Sequence, residues 1–313
     1  MQMLLATVQA AVPTCIKRPE AAHALRQLQQ VMATGRFVAY QPTSLQVING
    51  ELTQADPASI ERDLRVLRPR FDGLITYGSA NGADRVADIA AQLGYRAMIA
   101  GVWDVSNAKE ISAAIAATQR HPHLVIAISL GNERVFAKQF SPQQLAQAID
   151  TLRKQAPQLV LTTTEPFHIF LEPASASLMS ASDFMLVNIH PIFESWFRTA
   201  PDIAAATFVT DVVDKLHAVA CGPILVKETG VPTAPSSMGF TPTRQTGFYR
   251  ALTQQFPSEL QKAFAYFSAF DAPWRVNDAS PVAGVHPEEA HWGLYDERRN
   301  PKPVLHEIVL LPK

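Results

Sequence analysis

The chain has 313 residues, 47% apolar and 18% charged, with a formal net charge of −1. That length buries a large core and suits either one α/β barrel, which reaches about 250 residues as a unit, or two smaller domains. Mixed, nearly balanced charge argues against a nucleic-acid or anionic-membrane surface, and no apolar run reaches the ~18 residues of a membrane span.

The N-terminal "MQMLLATVQAAVPTC" is mildly apolar but lacks a basic n-region, and Pro13 and Thr14 make a poor lipoprotein box before Cys15. It reads as ordinary chain rather than a signal peptide. Compartment stays open, with the bacterial envelope among the options. Cys15 and Cys221 are far apart and belong to no CxxC or Cys/His pattern, so they signal neither a zinc site nor a disulfide framework and are expected to be small buried hydrophobes.

The first patterned stretch, "PEAAHALRQLQQVM", predicts a leading helical segment within residues 1–35, packed outside the main body. Continuous apolar runs then recur at 36–42, 71–78, 96–103, 124–133, 159–166, 183–191, 223–230 and 263–270. They do not alternate with polar residues, which fits parallel strands covered on both faces. Helical patterns separate them. Ile60, Leu64 and Leu67 form one stripe; Val86, Ile89, Ala90 and Leu93 form another that Gly94 closes. "SPQQLAQAIDTL" begins as a capping box, with Ser141 as N-cap, Pro142 in the first helical position and Gln144 three residues on. Val209, Val212, Val213 and Leu216 repeat the stripe before Gly222, and residues 243–255 supply a last crossover helix.

Eight strands alternating with helices close into a (β/α)8 TIM barrel or lie open as a doubly wound sheet. No glycine-rich phosphate loop follows the first strand, where "YQPTSLQVING" stands, so the barrel is favoured, with residues 1–313 as one catalytic domain. No nucleotide or other cofactor motif is present. The histidines His121, His123, His168, His190, His286 and His291 include no HExxH spacing, so no metal is expected.

A barrel collects the C-terminal ends of its strands at one rim, where active sites sit. This chain puts Tyr40, Tyr77, Trp103, Asn132, Glu133, Glu165, Asn188, His190, Glu228, Asp271 and Trp274 there. Glu133 and Glu228 follow the fourth and seventh strands, 95 residues apart, and would converge across the rim. Two carboxylates flanking a bond are what glycoside hydrolysis needs, one protonated to assist the leaving oxygen and one ionised to attack or to activate water. Trp103, Phe167, Phe193, Trp196 and Trp274 offer flat faces to sugar rings, and Asn132, Asn188 and His190 offer polar contacts to hydroxyls. Glu165 is a third strand-end carboxylate, either a substrate contact or a salt-bridge partner. Lys227 is expected on the face opposite Glu228, pointing outward.

"SLGNE", "VNIHPIF", "VKETGVPT" and "FDAPWR…HWGLYDERRNPKP", in that order, resemble glycoside hydrolase family 17, the β-1,3-glucanase and β-1,3-glucanosyltransferase family, and especially its bacterial branch. The resemblance runs from about residue 37 to 303. It implies the barrel fold, a β-1,3-glucan or oligosaccharide substrate, Glu133 as general acid/base, Glu228 as nucleophile and Asn132 as a contact to the sugar 2-hydroxyl. It also implies retention of configuration, with carboxyls about 5–5.5 Å apart. His190 stands where many relatives carry Tyr, and Ser268 where a glutamate is expected, which bears on the sugar subsites. The rival readings are a catalytically silent glucan-binding barrel and a barrel glycosidase for another β-linked glycan, such as mannan or cellulose.

Overall fold

The computed structural model describes residues 13–277 and 285–312. In chain order, α1 (Ala22–Thr34) leads into β1 (Phe37–Ala39), the hairpin β2 (Val47–Ile48) and β3 (Glu51–Leu52), and α2 (Pro57–Leu67). Next come β4 (Gly73–Ile75), α3 (Arg85–Gln92), β5 (Ala97–Val102), α4 (Ala108–Arg120), β6 (Val125–Asn132) and α5 (Pro142–Gln155). After β7 (Val160–Pro166) the connection to β8 (Met185–Asn188) holds two short helices, α6 (Phe167–Leu171) and α7 (Ala176–Ala181). Helix α8 (Asp202–Leu216), β9 (Ile224–Glu228), α9 (Pro242–Gln255) and β10 (Lys262–Tyr266) complete the series.

Eight strands close a parallel barrel in the order β1-β10-β9-β8-β7-β6-β5-β4, with β1 pairing to both β10 and β4. This is the expected (β/α)8 architecture, and each apolar run contributes one stave. Alternation splits every stave between two layers. Phe37, Ile75, Ile99, Ala127, Val160, Leu186, Leu225 and Ala265 pack in the barrel interior, while neighbours such as Leu74, Val187 and Val226 face the helices. Emptying one interior site, as in Leu186→Ala, costs about 2–5 kcal/mol in such a close-packed core.

The helices follow their sequence signals. Ile60, Leu64 and Leu67 of α2 are fully buried, and the chain leaves α3 through Gly94 at a left-handed φ of 72°. Ser141 and Gln144 form both halves of the capping box on α5.

Two expectations are corrected. Helix α1 does not merely pack outside the barrel. Its Leu28, Val31 and Met32 are buried in the same cluster as the interior residues, and it touches β6 and β10, which stand opposite each other, so it spans the N-terminal mouth. The cysteines are not separate hydrophobes either, because Cys15 and Cys221 form a disulfide with Cα atoms 5.2 Å apart. It ties the segment before α1 to the loop entering β9. Sequence spacing cannot reveal a pair separated by 206 residues, since only barrel closure brings its partners together. Among the described residues, no helix is long and apolar enough to cross a membrane.

Candidate active site

Both candidate carboxylates lie just past an irregularity in their strands. Between β6 and β7 the register steps from Ser129↔Thr162 to Asn132↔Thr164, and between β8 and β9 from Val187↔Val226 to Asn188↔Glu228. Each step leaves one extra residue, on β6 and β9 respectively. Such bulges bend a strand and re-aim the side chains that follow. At the first, Gly131 takes a φ of 78° and Glu133 a φ of 56°. The left-handed conformation costs a residue with a side chain about 1–2 kcal/mol, and here it is held by the Glu133 N–H donating to the Thr164 carbonyl at 2.8 Å.

The neighbours of the two groups differ in kind. Asn188 Nδ2 donates to Glu133 Oε1 at 2.9 Å. His190 Nε2 lies 3.2 Å from Glu228 Oε2, and its ring is wedged edge-on against Phe193, Phe267 and Trp292. Glu228 Oε1 is faced by Lys227 Nζ at 3.5 Å, an ion pair without good hydrogen-bond alignment. Burial, followed by the charge of Glu228, pushes the Glu133 carboxyl up. Burial alone would also raise Glu228. The Lys227 charge, the His190 contact and the Arg275 charge outweigh it and bring Glu228 down to about 2. The two carboxyls are thus displaced in opposite directions, the kind of separation that acid/base chemistry at one site uses. Tyr77 closes the cluster: its ring lies 4.1 Å beneath Lys227 Nζ, and burial, then the charge of Glu228, keep its hydroxyl protonated.

Glu165 is a clamp rather than part of this pair. It is fully buried and accepts the backbone N–H groups of Val135 at 2.8 Å and Phe136 at 3.1 Å, fixing the loop that leaves Glu133. Burial nevertheless pushes it up to about 7. On the same loop, Arg134 stacks over Trp103 at 4.6 Å and donates to its carbonyl, leaving the indole 42% exposed.

An open cleft of about 670 Å³, its mouth included, adjoins the carboxylates and shares Tyr77 and Arg275 with them. Gln41, Gln46, Ser268 and Trp274 also line it. Phe193 stands beside His190 and is 54% exposed. Thus Tyr77, Asn132, Glu133, Asn188, His190, Phe193, Glu228 and Trp274 gather at or beside the barrel mouth.

Other expected site residues are placed differently. Tyr40 is fully buried, its hydroxyl donating to Asp63 of α2 at 2.9 Å, because strand alternation turns it toward the helix layer. Asp271 borders the cleft, but its Oδ1 is occupied by Lys302 Nζ and the Gly293 N–H, each at 2.7 Å. Trp196 and Phe167 pack edge-on against Phe208 of α8, not on open faces. Lys227 reverses its expected orientation and points into the site: alternation from Leu225 carries it inward, and the β9 irregularity then brings Glu228 to the same side instead of the opposite one. Strand-end position alone does not mark Arg275 and Trp292 as site residues. Both fall inside motifs that resemble family 17, which is the signal that could have found them.

A family model described as the BtgE/BtgC glycoside hydrolase domain matches residues 38–293. A glucan 1,3-beta-glucosidase of Arthroderma benhamiae is 25% identical over 266 residues, covering 79% of this chain and 84% of that protein. A probable beta-glucosidase, btgE, of Aspergillus terreus is 29% identical over 56% of this chain, which spans only 30% of its length. The barrel is shared with an endo-laminarinase from Formosa (TM-score 0.72, 19% identity, 92% of this chain and 88% of that one). It is shared as well with a Rhizomucor miehei β-1,3-glucanosyltransferase solved with laminaritriose (TM-score 0.64, 21% identity, 86% and 96%). With most of its length matched by that model and a polarised carboxylate pair at the barrel mouth, this chain belongs to the BtgE/BtgC glycoside hydrolase family and is an enzyme of glycosidic bonds.

Proposed function

We propose that the chain is a retaining glycosidase or transglycosidase of β-1,3-glucan, with Glu228 as nucleophile and Glu133 as general acid/base. The observation that carries this reading is the opposite displacement of the two carboxyls, Glu133 up and Glu228 down to about 2. In the first step Glu228 attacks the anomeric carbon, the bond to the leaving oxygen breaks, and the Glu133 proton passes to that oxygen. The glycosyl ester removes the Glu228 charge, which together with burial had pushed the Glu133 carboxyl up. Glu133 then accepts a proton from the incoming acceptor as that oxygen displaces the ester.

The linkage comes from the family 17 resemblance and from the names of the relatives: a glucan 1,3-beta-glucosidase, an endo-laminarinase and a β-1,3-glucanosyltransferase. The curated relatives are fungal, so the proposal rests on shared chemistry and not on a bacterial branch. Water as acceptor gives hydrolysis and a second glucan gives transfer.

The test is Glu228→Gln on laminari-oligosaccharides, with products followed by chromatography. Turnover should fall by about 10⁴-fold or more while fold and glucan binding persist; normal turnover would remove the nucleophile assignment. With the unaltered enzyme, products longer than the substrate mean transfer and exclusively shorter ones mean hydrolysis.

A further inference from the structure

Lys227 is 2% exposed. Burying an ammonium group costs several kcal/mol unless opposite charge and hydrogen bonds compensate it, and an apolar residue of similar volume often serves stability as well or better. Among the described residues, its partners belong to the site. Nζ donates to Asn132 Oδ1, faces Glu228 Oε1 at 3.5 Å and sits 4.1 Å from the centre of the Tyr77 ring. It occupies the step that the β9 irregularity inserts before Glu228: alternation from the inward-facing Leu225 turns the cation inward, and the extra residue brings the carboxylate to the same side.

We infer that Lys227 is a positioning residue for the reaction: its buried ammonium holds Glu228 in the charged, attacking form and fixes which end of the Asn132 amide meets the sugar. The inference rests on Glu228 being the nucleophile. For the amide, the reasoning is stereochemical. An ammonium group only donates, so the atom it meets on Asn132 must be the oxygen. The Nδ2 end is thereby left to donate to a substrate hydroxyl. For the carboxylate, the reasoning is electrostatic. His190 holds Oε2 and Lys227 lies against Oε1, so Oε1 keeps its lone pairs without taking up a proton. The cation also remains after Glu228 becomes an ester. It then faces a Glu133 freed from its anionic neighbour and favours the deprotonated form needed for the second step.

The experiment isolates the nucleophile from the acid. Dinitrophenyl 2-deoxy-2-fluoro-β-laminaribioside carries a leaving group that needs no proton, so its rate of covalent labelling reports the first step without Glu133. Labelling rates of wild type, Lys227→Met, Lys227→Gln and Lys227→Arg are followed against pH, with folding checked by circular dichroism. Wild type should label at a constant rate down to about pH 4. The Met and Gln variants should lose about tenfold or more of their own plateau rate at pH 4 and recover it by about pH 7, because a neighbouring cation is worth one or more pKa units. The Arg variant should keep the wild-type profile whatever its plateau. Flat profiles for Met and Gln would overturn the inference. If neither folds, the wild type still decides, since loss of its labelling already by about pH 5 would show that Glu228 is not held charged. Glu228→Ala separates the two claims: labelling of that variant would sink the nucleophile reading, whereas an unlabelled Glu228→Ala beside an unshifted Lys227→Met would sink only the role of Lys227.

Discussion

Asn188 reaches across the barrel mouth and donates its side-chain amide to Glu133 at 2.9 Å, although its strand, β8, neighbours β9 and not β6. Two residues further on, His190 serves Glu228. One strand end thus supports both carboxyls, and their geometry is coupled through it.

The Asn188 contact favours the ionised form of Glu133 and so opposes the effects that raise it. Asn188→Ala should therefore push Glu133 further up and shift the basic limb of the kcat/KM profile to higher pH. With the proposed acid less well oriented, the plateau should drop by about 10- to 100-fold. A pH profile on laminari-oligosaccharides checks this, and an unmoved or lowered basic limb would contradict it.

Glu133→Gln removes the proposed proton donor but leaves the proposed nucleophile in place. Activity on unactivated glucan should fall by about 10²- to 10⁴-fold, the usual worth of general acid catalysis. Dinitrophenyl glycosides, which leave without a proton, should still form the glycosyl-enzyme at near wild-type rate. Steady-state and burst kinetics on the two substrate types make the comparison, and equal losses on both would count against Glu133 as the acid.

Glu165 should govern a stability slope rather than a rate. Its folded-state value of about 7 lies above the ordinary 4.5. Between those values the native state binds more protons than the unfolded one, so the stability it contributes is present below about pH 4.5 and is lost as pH rises through about 7. The melting temperature of the wild type should fall from pH 5 to pH 8. Glu165→Gln, which cannot ionise, should flatten the accompanying fall in unfolding free energy by up to about 3 kcal/mol. Melts across this range provide the measurement, and an unchanged slope would reject the assignment.

Much of the site was legible because it depends on local pattern. A buried apolar stave followed by a carboxylate is visible in "HLVIAISLGNE" and in "PILVKETG", and the capping box of α5 needs no partner outside its own turn. Asn188 and His190 could be placed at the mouth for the same reason. Tyr40 and Lys227 defy the sequence reading because only the structure fixes the phase of each strand's alternation and where it breaks. Tyr40 falls beyond a three-residue strand and turns to α2, and Lys227 stands where β9 slips by one residue against β8.

The sequence by itself determined the number of staves, the positions of their ends and the chemical types gathered there, since burial and periodicity act over a few residues. Tertiary structure alone decided that Cys15 meets Cys221, that α1 spans the lower mouth, that Glu165 clamps a loop and that Lys227 faces Glu228. Each of those relations joins segments far apart in the chain or depends on inter-strand register. Only the closed barrel fixes such relations, because its packing and hydrogen bonds must be satisfied all at once.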